Sequence, residues 1–170
     1  PRGLGDVYKR QVFSWTTSGD GSFIDGDTES PEYVPGTNDI NSGSVTLTLT
    51  ATGIAGCSAS DSDTLLLTIN KNAFTDTGIT EAEICASDDL NLTGIAENYS
   101  SIKWFTDGDG TFSNELNLTT VYNPGSNDLA NGGAVLTLVA YAQSPCTTNF
   151  SSSVNLTTVS YTHLTLPTKA

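Results

Sequence analysis

Asp107-Gly108-Asp109-Gly110 sets two carboxylates at alternate positions in a glycine-rich stretch, the spacing with which loops present oxygen to calcium. Asp20, Asp25 and Asp27 gather in a similar stretch earlier in the chain. Calcium takes about six to eight oxygens, carboxylate and carbonyl together. An EF-hand loop would need a third ligand before its glycine and a bidentate Glu at its twelfth position, and neither stretch has that arrangement. Asp107 and Asp109 are therefore the candidate metal ligands. Nothing in the residues demands a cofactor, and calcium is the one that this pair could hold. The competing reading of the same residues is a tight turn. Asp88-Asp89 is a weaker pair, and Asp61 and Asp63 read as solvated.

Other chemistries lack their residues. The one histidine, His163, sits in an end segment set apart below, so no triad or zinc site can be assembled around it. No phosphate-cradling glycine loop precedes a helix. Paired carboxylates can hydrolyse sugars, but nothing here builds a cleft around a pair. The expectation is a protein that is not an enzyme, with no catalytic residue.

The elements that would position these residues come in duplicate. At a constant offset of 89 residues, the step from Trp15 to Trp104, residues 13–69 fall on 102–158 without a gap. Gly19-Asp20-Gly21-Ser22-Phe23 falls on Gly108-Asp109-Gly110-Thr111-Phe112. Tyr33-Val34-Pro35-Gly36 falls on Tyr122-Asn123-Pro124-Gly125, Asn38-Asp39 on Asn127-Asp128, and Cys57 on Cys146. A period of this length means tandem copies of one small domain. Asp107 is replaced by Ser18 in copy one, so the two copies do not share a calcium pair.

Residues 1–11 and 159–170 stand outside the repeat. Both look like translated adapters of a transposon-based sequencing library, natural linkers being the alternative, and are set aside as non-native. The expected domains are then 12–70, a repeat lacking its first strands, and 73–158, a complete repeat. An internal piece of a longer protein would show neither a signal peptide nor an anchor, and neither appears.

The whole chain carries 6 basic and 19 acidic residues, a net charge of −13. Without Arg2, Lys9, Arg10, Lys169 and Asp6 the balance is more acidic still. Nucleic-acid binding is excluded, because counterion release needs Lys and Arg. Anionic membrane surfaces are disfavoured for the same reason, and no segment suits membrane insertion. Acidity of this kind keeps a chain soluble.

Three cysteines is an odd number. Copy two holds Cys85 near its start and Cys146 near its end. The counterpart of Cys85 in copy one would lie upstream of residue 1. The expectation is a Cys85–Cys146 disulfide with Cys57 orphaned, the alternative being three buried thiols. Such a bridge would stabilise by about 4 kcal/mol and imply an oxidising compartment.

Strands follow from alternation. Val45, Leu47, Leu49 and Ala51 face one way and threonines the other, and Leu136, Leu138 and Ala140 repeat the pattern. Phe13 with Trp15, Ile102 with Trp104, Leu65 with Leu67 and Ile69, and Val154 with Leu156 give further inward faces. Leu90 and Leu92 mark a strand early in copy two. Clusters of Gly, Asn, Asp and Ser separate the runs. At most one helical turn follows each Pro-Gly. Short alternating strands and a buried tryptophan suit tandem antiparallel β-sandwiches of immunoglobulin type, an all-β fold.

The run Trp-Xaa-Thr-Xaa-Gly-Asp-Gly-Xaa-Phe, at Trp15 to Phe23 and Trp104 to Phe112, resembles the PKD-like and Ig-like repeats of large secreted Bacteroidetes proteins. The Tyr-Xaa-Pro-Gly-Xaa-Asn-Asp run and the threonine-rich strand are similar to those repeats too. The resemblance implies extracellular or cell-surface display in a secreted bacterial protein linked to adhesion. It also implies an architectural motif, with Gly19, Gly21 and their counterparts at positive φ in a tight turn and the Trp and Phe in the core. The expected function is a structural spacer whose partners are neighbouring repeats. The alternatives are a module binding calcium or glycans and other cell-surface molecules, with Phe105 and Tyr141 as exposed aromatics, or an accessory domain of a secreted hydrolase.

Overall fold

The computed structural model describes residues 11–54 and 59–159. Cys57, His163 and most of both end segments lie outside the described residues. Gln11 and Val159, grouped above with those segments, continue strands that begin or end there.

The chain divides into two compact units, Pro1–Lys71 and Asn72–Ala170. In unit 1, β1 (Gln11–Thr17), β2 (Ser22–Ile24) and β3 (Glu32–Val34) lead to α1 (Thr37–Ser42), β4 (Ser44–Gly53) and β5 (Ser60–Thr68). In unit 2, β6 (Phe74–Asp76), β7 (Glu81–Cys85), β8 (Leu90–Thr93) and β9 (Ile95–Glu97) come first. They are followed by β10 (Tyr99–Thr106), β11 (Thr111–Phe112), β12 (Thr119–Asn123), α2 (Ser126–Asn131), β13 (Gly133–Ala142) and β14 (Phe150–Val159).

The fold is an all-β, Ig-like sandwich. In unit 2 one sheet runs β10-β13-β14-β7 and the other β11-β12-β8, with a small β6-β9 ladder beside them. The β7–β14 pair is parallel and the rest are antiparallel. Trp104, Leu136, Leu138 and Val154 from the first sheet meet Leu92 and Tyr122 from the second in a core that is almost solvent-free. The threonines and serines that alternate with them point the other way, as a pleated strand requires.

Unit 1 repeats the register. Trp15 pairs with Leu49 as Trp104 pairs with Leu138, and Phe23 with Tyr33 as Phe112 with Tyr122. Its sheets run β1-β4-β5 and β2-β3. Among the described residues it has no counterpart of β6 to β9. Leu65, expected to face inward, is 55% exposed, whereas its counterpart Val154 is fully buried. The alternation is as read, but among the described residues of unit 1 no layer equivalent to β6–β9 lies over it.

The expected Cys85–Cys146 bridge is not formed. Cys85 closes β7 opposite Val159, at the far end of β14, while Cys146 lies in the β13–β14 connection at the near end. Nine residue steps along β14 put those ends about 30 Å apart. The four residues from Cys146 to Phe150 recover at most about 14 Å of that. A disulfide needs Cα atoms within about 7 Å. Sequence placement near the two ends of a domain did not translate into proximity, because β14 runs the length of the sheet.

Candidate functional site

The repeated residues converge where the β10–β11 turn meets the start of α2, and at the same place in unit 1. Each helix has a glycine at its N-cap, Gly36 or Gly125, and so no side chain of its own to receive the first amides. The turn supplies one instead. The Asp109 carboxylate accepts the backbone N–H of Asn127 at 3.0 Å and of Asp128 at 3.2 Å, and the Ser126 hydroxyl at 3.3 Å. Asp20 accepts the N–H of Asn38 at 3.1 Å and of Asp39 at 3.2 Å. The amide of Asn127, followed by those of Asp128 and the Ser126 hydroxyl, holds Asp109 below the ordinary carboxylate range.

The helix answers in kind. Asp128, 1% exposed, accepts the N–H of Asp109 and Gly110, each at 3.1 Å, and of Gly125 at 2.9 Å. Its fourth donor is the Tyr122 hydroxyl at 2.6 Å. Asp39, 2% exposed, accepts from Asp20, Gly21, Gly36 and Tyr33 in the same way. A buried carboxylate is tolerable only when donors surround it, and here four do. The Tyr33 hydroxyl, ahead of the amides, holds Asp39 below the usual carboxylate range. Burial, with the bond to Asp128 second, pushes Tyr122 up to about 12, and burial likewise raises Tyr33. Thr106 completes the network, with its hydroxyl 2.8 Å from that of Tyr122 and accepting the N–H of Gly108 at 3.1 Å.

The glycines of the motif are not at positive φ, contrary to the expectation for Gly19, Gly21, Gly108 and Gly110; the described glycines that are include the helix C-caps Gly43 and Gly132. What the motif glycines provide is room. A Cβ on Gly108 would fall 1.7 Å from the Asp128 carboxylate, and one on Gly110 would fall 2.3 Å from the Tyr122 hydroxyl. Gly19 and Gly21 meet Asp39 and Tyr33 equally closely.

Behind the turn stand the aromatics. Trp104, Phe112 and Tyr122 stack in sequence at centroid distances of 6.0 and 4.9 Å, and Trp15, Phe23 and Tyr33 do so at 5.8 and 4.9 Å. Each indole N–H reaches a carbonyl at 3.1 Å, that of Asn117 or of Thr28.

Asp107 and Asp109 are not aimed at a common point. Asp107 accepts the N–H of Val135 at 2.6 Å, prolonging the β10–β13 ladder. In copy one Ser18 accepts the N–H of Thr46 at 3.1 Å, the same bond from a different side chain. The exchange of Asp for Ser is thereby explained without a metal. Among the described residues no group of three or more His, Cys, Asp or Glu side chains is placed to hold a metal ion.

Phe105 is 40% exposed, with the Lys103 ammonium 5.3 Å from its ring centroid and 3.0 Å from Glu115. Tyr141 is only half-buried on the neighbouring strand, opposite Ser101, whereas Phe105 lies opposite Thr137. That offset of four residues separates the rings' backbones by about 13 Å, so they do not share one platform. Among the described residues no helix is long and apolar enough to cross a membrane.

Sequence reasoning named the Gly-Asp-Gly run but not Asp39, Asp128, Tyr33 or Tyr122 as its partners. The signal was present in the repeat, since each of these residues recurs at the same offset.

No family model and no curated protein matches the chain. Among solved structures it is similar to mouse cadherin-23 EC22-24, at 13% identity over 89% of this chain and 54% of that one, with a TM-score of 0.50. Fainter likenesses reach the protocadherin gammaB7 EC3-6 cis-dimer and the titin domains z1z2 in complex with telethonin. The first has 11% identity, 87% and 40% coverage and a TM-score of 0.42. The second has 17% identity, 91% and 84% coverage and a TM-score of 0.39. The chain spans about half the length of the cadherin structure, and the likeness is one of fold.

Proposed function

We propose that this chain is a non-catalytic structural repeat, a spacer or stalk segment of a large secreted or cell-surface bacterial protein of the PKD-like, adhesin-like kind. The observation that carries this reading is where the repeated chemistry points. The residues that recur between the copies, from the Gly-Asp-Gly turn to Asp39 and Asp128, spend their polar atoms on each other and on local backbone. The aromatic rings that a ligand could stack on do not recur: Phe105 and Tyr141 stand where copy one has Thr16 and Thr52. An array selected to bind would repeat its surface, whereas an array selected to hold its shape repeats its interior.

Phe105 supports a second reading, a glycan-binding copy two, because an exposed ring is the usual stacking surface for a sugar. Thermal unfolding separates the readings, since a ligand that binds the folded state raises the melting temperature. The spacer reading predicts no shift with millimolar calcium against chelator, nor with a panel of polysaccharides. A reproducible rise with a polysaccharide that Phe105→Ala abolishes would replace it with the glycan reading.

A further inference from the structure

The outer face of the unit 1 sheet is a lattice of hydroxyls. Thr16 of β1, Thr48 of β4 and Thr64 of β5 stand opposite one another in one row, and Ser14, Thr50 and Ser62 in the next. Thr46 and Thr52 carry the pattern further along β4 in both directions. The β1–β4 and β4–β5 ladders run without a register shift, whereas the β10–β13 ladder shifts between Tyr99 and Ser101. The equivalent face of unit 2, where both sheets of the sandwich are present, is open as well, and there the Thr137 and Ser153 hydroxyls lie 2.9 Å apart. This is therefore the solvent side of the sheet, and not the side that packs against the second layer. The array itself belongs to copy one: Lys103, Phe105, Val139 and Tyr141 stand at the positions of Ser14, Thr16, Thr50 and Thr52.

Threonine is β-branched, so its hydroxyl and methyl hold fixed places on a strand. Neighbouring strands lie about 4.8 Å apart and alternate residues about 6.8 Å apart, each within about a tenth of an oxygen repeat on the prism face of hexagonal ice. Twist turns each outer strand by about 20° against β4, so the match is best in the two rows centred on Thr48 and Thr50. Charge points the same way. The chain has 19 acidic residues, yet every residue on this face of β1, β4 and β5 is uncharged, and Asp61 and Asp63 alternate to the opposite side. A neutral crystal is complementary to such a face, and a charged partner is not. The face measures about 14 Å by 24 Å, well short of the roughly 800 Å² per partner of a stable protein interface. It also lacks the aromatic and Arg anchors on which such interfaces depend. We infer that this face binds the prism plane of ice, its hydroxyls taking the places of lattice oxygens and its methyls filling the hollows between them. The inference goes beyond the spacer reading and does not depend on it.

The test is ice partition of the full chain. A dilute solution is frozen slowly onto a cold probe, and the protein in the ice is compared with that left in the liquid, beside a non-binding globular protein of similar size. The expected result is enrichment in the ice several-fold above that control. Thr48→Lys, at the centre of the lattice, should bring partition down to the control level, whereas Thr137→Lys, at the same place in unit 2, should leave it unchanged. If Thr48→Lys disturbs the folding of unit 1, Thr16→Lys on the exposed flank of the same row gives the same information. Exclusion of the unmodified chain from ice, to the extent of the control, would overturn the inference. So would partition that survives both unit 1 substitutions, since binding would then lie elsewhere. Sedimentation showing a dimer that Thr48→Lys dissociates would also overturn it, because a second copy would then cover the face.

Discussion

Asp109 and Asp128 each hold the other's backbone. The Asp109 carboxylate receives the amides of Asn127 and Asp128, and the Asp128 carboxylate receives the amides of Asp109 and Gly110. The same clasp joins Asp20 to Asp39. It ties the turn after β10 to the connection after β12, extending the hold that the β11–β12 ladder begins at Thr111 and Asn123.

Removing the buried half of the clasp should be costly. Asp128→Ala leaves three amides and a tyrosine hydroxyl without their acceptor and should destabilise unit 2 by about 3 kcal/mol or more. Urea unfolding followed by tryptophan fluorescence measures this. A loss below about 1 kcal/mol would show that water replaces the carboxylate without penalty.

The glycines should rank by crowding rather than by φ. Gly108→Ala drives a methyl into the Asp128 carboxylate and should cost about 2 kcal/mol or more. Gly132→Ala, at φ 82° with nothing near its Cβ, should cost about 1–2 kcal/mol. The reverse order in unfolding experiments would mean that turn conformation, and not close approach, fixes the motif.

Trp104→Ala should cost about 3–5 kcal/mol, the range for emptying a buried aromatic site. Trp15→Ala, at a half-buried site, should cost distinctly less. Equal losses would show that unit 1 is as well covered as unit 2.

Stability should fall at both ends of the pH scale. Asp39 and Asp109 titrate below the ordinary carboxylate value in the folded state. Their contribution is therefore present above about pH 4 and is lost as pH falls through the folded values. Tyr122 is raised from 10.0 to about 12, so its contribution is present below pH 10 and is lost as pH climbs towards 12. Melting temperatures from pH 3 to 11 should show a plateau with two descending limbs, and Asp109→Asn should flatten the acid limb. A melting temperature constant down to pH 3 would contradict the assignment.

The sequence made the strands legible because Val45, Leu47 and their counterparts alternate with threonine, and a pleated strand turns that period directly into two faces. It made the motif legible because Gly-Asp-Gly recurs at a fixed offset. It did not reveal the clasp, since Asp109 and Asp128 are 19 residues apart and nothing local to either one names its partner. The glycines were misread for a related reason. Glycine is compatible with both positive φ and close approach, and only the position of Asp128 decides between them. The cysteines failed because the ends of a domain in sequence lie at opposite ends of β14 in space.

A double-mutant cycle on Asp109→Ala and Asp128→Ala tests the reciprocal clasp most directly. Because each carboxylate fixes the segment that carries the other, removing either should forfeit much of what both contribute. The double variant should then lose at least about 1 kcal/mol less than the sum of the single losses. Losses that add within about 0.5 kcal/mol would mean two independent turns, and the account of the motif as one structural unit would be wrong.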